Sequence, residues 1–186
     1  MSTKAELRLL LKARREALSL GERREKGYHI TCRLEKLLEP YQTILGYVAK
    51  EPEVESMVIL NCLLEEGKRV VVPIIEKATH TLRLSYLTSM AELEPSTFSV
   101  PEPITAEKPA AASSIDVVLV PMVGFDRVGH RLGYGAGYYD RFFEKNPNIP
   151  RIGMAYACQE MECIPSEWFD ARMDLIVTED EVIDCR

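Results

Sequence analysis

The residues with the clearest chemical potential lie between Val120 and Phe143. There Gly129, Gly133, Gly135 and Gly137 are interleaved with Arg127, His130, Arg131, Asp140 and Arg141. Glycine at alternate positions lets backbone N–H groups crowd together and lets a ligand approach where a Cβ would block it. The apolar run of Ile115 and Val117 to Val120 precedes the glycines and an amphipathic segment, Tyr138 to Phe143, follows them, so the order reads strand, glycine loop, helix. A helix beginning near Gly137 would aim free N–H groups and its dipole at the loop, which suits an anion such as phosphate. Asp140 and Asp170 are candidate magnesium ligands, because that ion keeps several waters and needs only one or two carboxylates beside nucleotide phosphates. A helix salt bridge or a turn is the alternative for each. The loop is not a Walker A motif, since no Gly-Lys-Ser/Thr follows, and its glycine spacing is not that of the dinucleotide fingerprint. Close packing without any ligand also uses such turns.

Other chemistry is scarce. His29, His80 and His130 lack metal-ligand spacing, and no Gly-x-Ser-x-Gly elbow occurs. The five cysteines, at 32, 62, 158, 163 and 185, are scattered and odd in number, which fits reduced thiols and a cytoplasmic location. Cys158 and Cys163 read as partly buried thiols rather than nucleophiles. A formal net charge of −6 argues against a dedicated nucleic-acid binder. No apolar run approaches the ~18 residues of a membrane span, and Lys4, Arg8 and Lys12 stand where a signal peptide would be apolar.

The elements that must position the loop follow from periodicity. With 186 residues and 46% hydrophobic composition, one domain with a sizeable core is expected over residues 1–186. Ser2 to Leu38 has helical spacing, capped by Ser2 or by Thr3 with Glu6, and a joint near Ser19 divides it into two helices. Lys4, Arg8, Lys12 and Arg15 fall on one stripe of the first helix. A solvated face is the usual explanation, and a phosphate-facing stripe is the alternative. Strands are expected at Thr43 to Ala49, Arg69 to Ile75, Leu82 to Leu87, Ile115 to Val120, Arg151 to Ala157 and Leu175 to Thr178, with helices at Met57 to Leu64 and Tyr138 to Lys145. This predicts a three-layer α/β fold: a mainly parallel sheet of about six strands, with N-terminal basic helices (3–38) packing on a core (41–180). Ligands in such sheets bind beyond the C-terminal ends of the strands, where Glu55 sits. The proline-rich stretch from Glu94 to Ser114 reads as irregular chain that either serves the site or lies against the sheet.

The string Arg131-Leu132-Gly133-Tyr134-Gly135-Ala136-Gly137-Tyr138-Tyr139-Asp140-Arg141, preceded by Pro121 and Phe125-Asp126, resembles the signature of the 5-formyltetrahydrofolate cyclo-ligase family. Lys4-Ala5-Glu6-Leu7-Arg8 resembles that family's N-terminal Lys-x-x-Leu-Arg, Glu53-Val54-Glu55 its acidic segment, and Asp170 to Thr178 its C-terminal aspartate and strand. The resemblance covers nearly the whole chain.

It implies conversion of 5-formyltetrahydrofolate and ATP to 5,10-methenyltetrahydrofolate, ADP and phosphate, with Mg2+ required. It further implies Arg131 as the catalytic residue. ATP would be bound by Lys4, Ala5, Glu6, Leu7 and Arg8 and by the loop Arg131, Leu132, Gly133, Tyr134, Gly135, Ala136, Gly137, Tyr138 and Tyr139. Folate would meet Lys50, Glu55 and Tyr134 to Tyr138, and Asp140 and Asp170 would hold the metal. Two positions depart from the pattern: Ala136, where Gly or Lys is frequent, and Lys50, where some members are apolar. The partners expected are small molecules only, with a monomer favoured. A phosphate-ester enzyme acting without ATP hydrolysis, or a folate-binding protein without turnover, are the other classes considered.

Overall fold

The computed structural model describes residues 3–186. Its main sheet is formed by Thr43–Leu45 (β1), Arg69–Glu76 (β2), Thr81–Leu87 (β3), Val117–Pro121 (β4), Arg151–Met154 (β5), Leu175–Val177 (β6) and Val182–Asp184 (β7). They are arranged in the order β7-β6-β5-β4-β1-β2-β3. The five inner strands are parallel, and β3 and β7 close the two edges antiparallel. Seven strands replace the expected six. Only Ile183 of β7 turns inward, so its sequence looks like a polar tail until β6 supplies a partner.

Val117 to Val120 are completely buried, as an apolar run in a parallel sheet covered on both faces should be. Successive residues feed opposite faces. Val117 and Leu119 join Ile44, Val70 and Ile152 under Lys4–Glu16's successor, the helix Leu20–Leu38, and under Met57–Glu65; Val118 and Val120 join Leu45, Val71 and Phe143 on the other face. We call the four helices α1 (Lys4–Glu16), α2 (Leu20–Leu38), α3 (Met57–Glu65) and α4 (Tyr138–Lys145). The capping boxes are Thr3 with Glu6 and Ser19 with Glu22, so the joint lies at Ser19; Ser2 lies outside the described residues.

α1 packs apart from the two main layers. Its Leu7 and Leu11 bury themselves with Val123, Leu132 and Ile164, that is, against the ribbon Gly124–Phe125/Arg131–Leu132 that begins the glycine loop. Gly124 permits this: a Cβ there would collide with Leu11. The apolar stripe of α1 thereby turns its basic stripe toward the loop.

β1 leaves the ladder at Leu45, earlier than the expected Ala49, yet Tyr47 and Val48 stay buried beyond it. From β1 the chain moves outward to β2, then returns to β4 on β1's other side. The strand order reverses there, and the crevice beyond the C-terminal ends of β1 and β4 is the place such sheets offer a ligand. The proline-rich stretch does both things allowed to it. Glu94–Pro95 pairs with Pro101–Glu102, and Tyr86 N–H donates to the Lys108 carbonyl at 2.8 Å, tying the stretch to β3.

Candidate active site

A cavity of about 560 Å³ opens at that crevice. Its wall draws on α1 (Lys4, Arg8), the end of β1 (Tyr47, Val48, Lys50, Glu53), β2 and β3 (Pro73, Ile75, Leu82), the proline-rich stretch (Phe98, Val100), Pro121, the glycine loop through Asp140, and Phe169 with Asp170. The size is right for small-molecule substrates.

All four cations of the α1 stripe find partners in or beside this wall. Lys4 Nζ donates to Asp170 Oδ2 at 2.6 Å, and Arg8 Nε donates to the Gly133 carbonyl at 2.8 Å. Lys12 stands 5.5 Å from the centre of the Tyr134 ring, and Arg15, itself buried, donates to the Tyr134 hydroxyl at 3.1 Å. The stripe is not a solvated face. Gly135, with φ +102°, brings the loop backbone against the Arg8 guanidinium, so a side chain there would be strained and would press on Arg8.

Arg131 is held by Asp140, whose Oδ1 accepts from Nη2 at 2.5 Å, and its side chain is only 5% exposed. Its Nε is buried and meets no acceptor among the described residues. The Nε atoms of Arg15, Arg23 and Arg151 also meet no acceptor among the described residues; what sets Arg131 apart is its place in the cavity wall. Asp140 Oδ1 also accepts from Ala171 N–H at 3.2 Å, which ties the loop to the Asp170 segment. Gly137, in the left-handed region, begins α4 without any side-chain cap, leaving the first N–H groups of the helix for another acceptor.

Three tyrosines close the back of the site. Burial, reinforced by the Glu53 charge, pushes the hydroxyls of Tyr47, Tyr134 and Tyr139 well above their ordinary pKa. They are therefore neutral at working pH and add no negative charge next to an anionic ligand. Burial works to raise Asp170 as well, but the hydrogen bonds from Lys4 and from Glu167 N–H outweigh it and hold that carboxyl below its ordinary range.

Among the residues expected at the site, Lys4, Arg8, Lys50, Asp140, Asp170 and the whole run from Arg131 to Tyr139 line the cavity. Ala5, Glu6 and Leu7 do not: Glu6 closes the capping box of α1, and Leu7 belongs to the core under it. Glu55 is exposed and accepts from Met57 N–H at 2.7 Å, so it serves the start of α3, while Glu53 of the same acidic segment lines the cavity. Arg127 and His130 point elsewhere. Arg127 pairs with Glu160 and Glu181, and His130 Nδ1 lies 3.0 Å from the buried Asp126. The apolar wall of Tyr47, Pro73, Ile75, Leu82, Phe98, Val100 and Phe169 escaped sequence reasoning, because these residues come from separate elements and share no local spacing.

Comparison with known proteins bears directly on this arrangement. The model of the 5-formyltetrahydrofolate cyclo-ligase family matches residues 1–179. The 5-formyltetrahydrofolate cyclo-ligase of Haemophilus influenzae is 27% identical over 180 residues, covering 92% of this chain and 96% of the relative. That of the mouse is 28% identical over 192 residues, covering 96% and 95%. Among solved structures, the 5,10-methenyltetrahydrofolate synthetase of Aquifex aeolicus superimposes with a TM-score of 0.86 at 31% identity, covering 98% of this chain and 93% of that one. A second, from Mycoplasma pneumoniae, gives 0.78 at 26% identity, covering 96% and 99%.

Proposed function

Because this chain belongs to the 5-formyltetrahydrofolate cyclo-ligase family, we propose that its cavity converts 5-formyltetrahydrofolate and ATP to 5,10-methenyltetrahydrofolate, ADP and phosphate. The observation that carries this reading is the convergence of the α1 stripe, the glycine loop and the unsatisfied Arg131 donor on one apolar-walled cavity.

The chemistry explains the need for such a site. The formyl oxygen of an amide is a poor leaving group. Attack of that oxygen on the γ-phosphorus expels ADP and leaves a phosphorylated iminium at N5. The N10 nitrogen then attacks the formyl carbon and loses its proton, and the ring closes as the C–O bond breaks and phosphate departs. No protein nucleophile is needed. What the chain must supply is in-line positioning and stabilisation of charge on the transferring group. Arg131 offers Nε and its Nη groups, Arg8 and Lys4 offer charge from the α1 side, and the start of α4 offers backbone N–H groups. Tyr47, Ile75 and Val100, buried or half-buried in the wall, would shield a reactive intermediate that hydrolysis would destroy.

Asp140 and Asp170 suit a magnesium ion that is held largely by phosphate oxygens. Both line the cavity, and each is at present partnered by a single cationic side chain, Arg131 or Lys4. No group of three or more His, Cys, Asp and Glu that could cage a metal by itself occurs among the described residues, so nucleotide phosphates would have to complete the coordination. Bound there, magnesium would neutralise phosphate charge. No described helix is long and apolar enough to cross a membrane.

The decisive experiment mixes purified protein with 5-formyltetrahydrofolate, magnesium and ATP and follows the methenyl chromophore, with controls lacking ATP or magnesium. An absorbance rise that needs both is expected. A rise without ATP would point to a phosphate-ester or transfer chemistry instead, and folate binding with no rise would leave a binding protein.

A further inference from the structure

The chain's single tryptophan is left in water. Trp168 is 92% exposed, and its ring meets that of Phe169 edge to face, with centroids 5.4 Å apart at 84°. Phe169, 56% exposed, forms part of the cavity wall, and the next residue, Asp170, accepts from Lys4. Neither ring belongs to the clusters that make up the core. Two adjacent aromatic rings in solvent at the rim of a cavity contribute nothing to the fold in return for the apolar surface they expose.

The rest of the cavity shows what they can do. Two groups of its apolar lining stand apart. One is Tyr47, Ile75, Phe98 and Val100, gathered from separate elements; the other is Phe169, with the Trp168 ring packed against it just outside the lining. The proposed reaction brings two ring systems together, a reduced pteridine and a nucleobase, joined at the moment of transfer by the triphosphate. Of the two groups, Trp168–Phe169 is covalently continuous with Asp170, whose partner Lys4 and neighbour Arg8 belong to the triphosphate side. The first group, which holds the buried Tyr47, suits the pteridine, whose intermediate must be kept from water. We propose that Trp168 and Phe169 receive the nucleobase of ATP by stacking, making Trp168 a nucleotide-positioning residue. This rests on the ATP-dependent reading above.

Because Trp168 is the only tryptophan, its emission reports the contact directly. With excitation at the red edge of the indole band and correction for absorption by ligands, emission should change saturably with ATP over the range of its KM. Inorganic tripolyphosphate, which carries comparable charge and no base, should leave it nearly unchanged. Trp168→Ala should raise the KM for ATP about tenfold with a much smaller change in kcat and in the KM for folate, as loss of one base–aromatic stack implies. Trp168→Phe should recover most of the loss, and since residue 168 is exposed neither variant should fold differently.

In an enzyme that turns over, the idea is overturned by an emission indifferent to ATP, by a Trp168→Ala variant whose KM for ATP stays within about twofold, or by tripolyphosphate or folate alone reproducing the full ATP response. A wild-type protein with no turnover, whose emission still answers ATP but not tripolyphosphate, would sink the proposed reaction and keep the base site.

Discussion

Two basic stretches lie near the glycine loop, and the protein treats them in opposite ways. Arg127 and His130, at its start, are consumed by carboxylates of the fold: Glu160 and Glu181 for Arg127, Asp126 for His130. Arg8, Lys12 and Arg15 of α1 are met by a carbonyl, a ring face and a phenol hydroxyl; Lys4 and Arg131 pair with carboxylates, but these are Asp170 and Asp140 of the cavity wall itself, and Arg131 keeps a buried Nε without an acceptor among the described residues. A side chain tied to carboxylates outside the cavity wall is not placed to meet a phosphate there. One held by a neutral partner in a partly dry site offers a phosphate a charge that is placed but not spent. The contrast gives the first stretch structural work and fits the second to the anion binding proposed above.

The contrast is broken most directly at Arg131. Arg131→Ala should lower kcat/KM by about 10²–10³, the scale of losing a preorganised donor at a developing charge, while circular dichroism shows a folded protein. Near-wild-type turnover would remove Arg131 from the site. Arg8→Ala, which leaves the first stretch intact, should raise the KM for ATP by roughly tenfold or more while binding of folate measured by calorimetry changes little.

The support of the stripe can be tested apart from its charge. Leu11 is completely buried between α1 and the loop ribbon, so Leu11→Ala should cost about 2–5 kcal/mol in denaturant unfolding and weaken ATP use through displacement of Lys4 and Arg8. Unchanged stability would mean that α1 docks by other contacts. For the metal, Asp140→Asn should shift the magnesium dependence of turnover to higher concentration; an unchanged requirement would count against that ligand.

The smallest effects belong to the first region and to pH. Arg127→Ala breaks solvent-exposed ion pairs of little worth and should leave turnover within about twofold. A large loss of activity there would erase the distinction between the two stretches. Asp170 has its pKa lowered in the folded protein, so its ionised form binds Lys4 and stabilises the fold above the unfolded carboxyl value. That contribution should fade as pH falls through the folded pKa, below the ordinary 3.8, and acid unfolding of Lys4→Met should start at higher pH than that of the unaltered protein. Superimposable acid transitions would show that the Lys4 tie does not matter.

Much of this was legible in the sequence. The apolar run Val117 to Val120, the glycine spacing and the two capping boxes specify a buried strand, a ligand-admitting loop and helix starts through local physics, which neighbouring residues carry by themselves. The string from Arg131 to Asp140 is likewise contiguous, and all of it down to Asp140 lines the cavity. Local spacing also placed Lys4, Arg8, Lys12 and Arg15 on one stripe. It could not say which way the stripe faced, because direction depends on where Leu7 and Leu11 find a core, and that core is supplied by Val123, Leu132 and Ile164, more than a hundred residues away.

The same limit explains the rest. Glu55 and Glu53 are equally acidic in sequence, yet one accepts from Met57 N–H at the start of α3 and the other reaches the cavity, a choice made by the path of the loop after β1. The seventh strand exists only because β6 offers it an edge. The sequence by itself determined the elements and the chemistry of the loop, since propensity, capping and glycine backbone freedom act over a few residues. Only the tertiary structure decided what each cation meets and which apolar side chains line the cavity, because both depend on groups that meet solely when the sheet has been assembled.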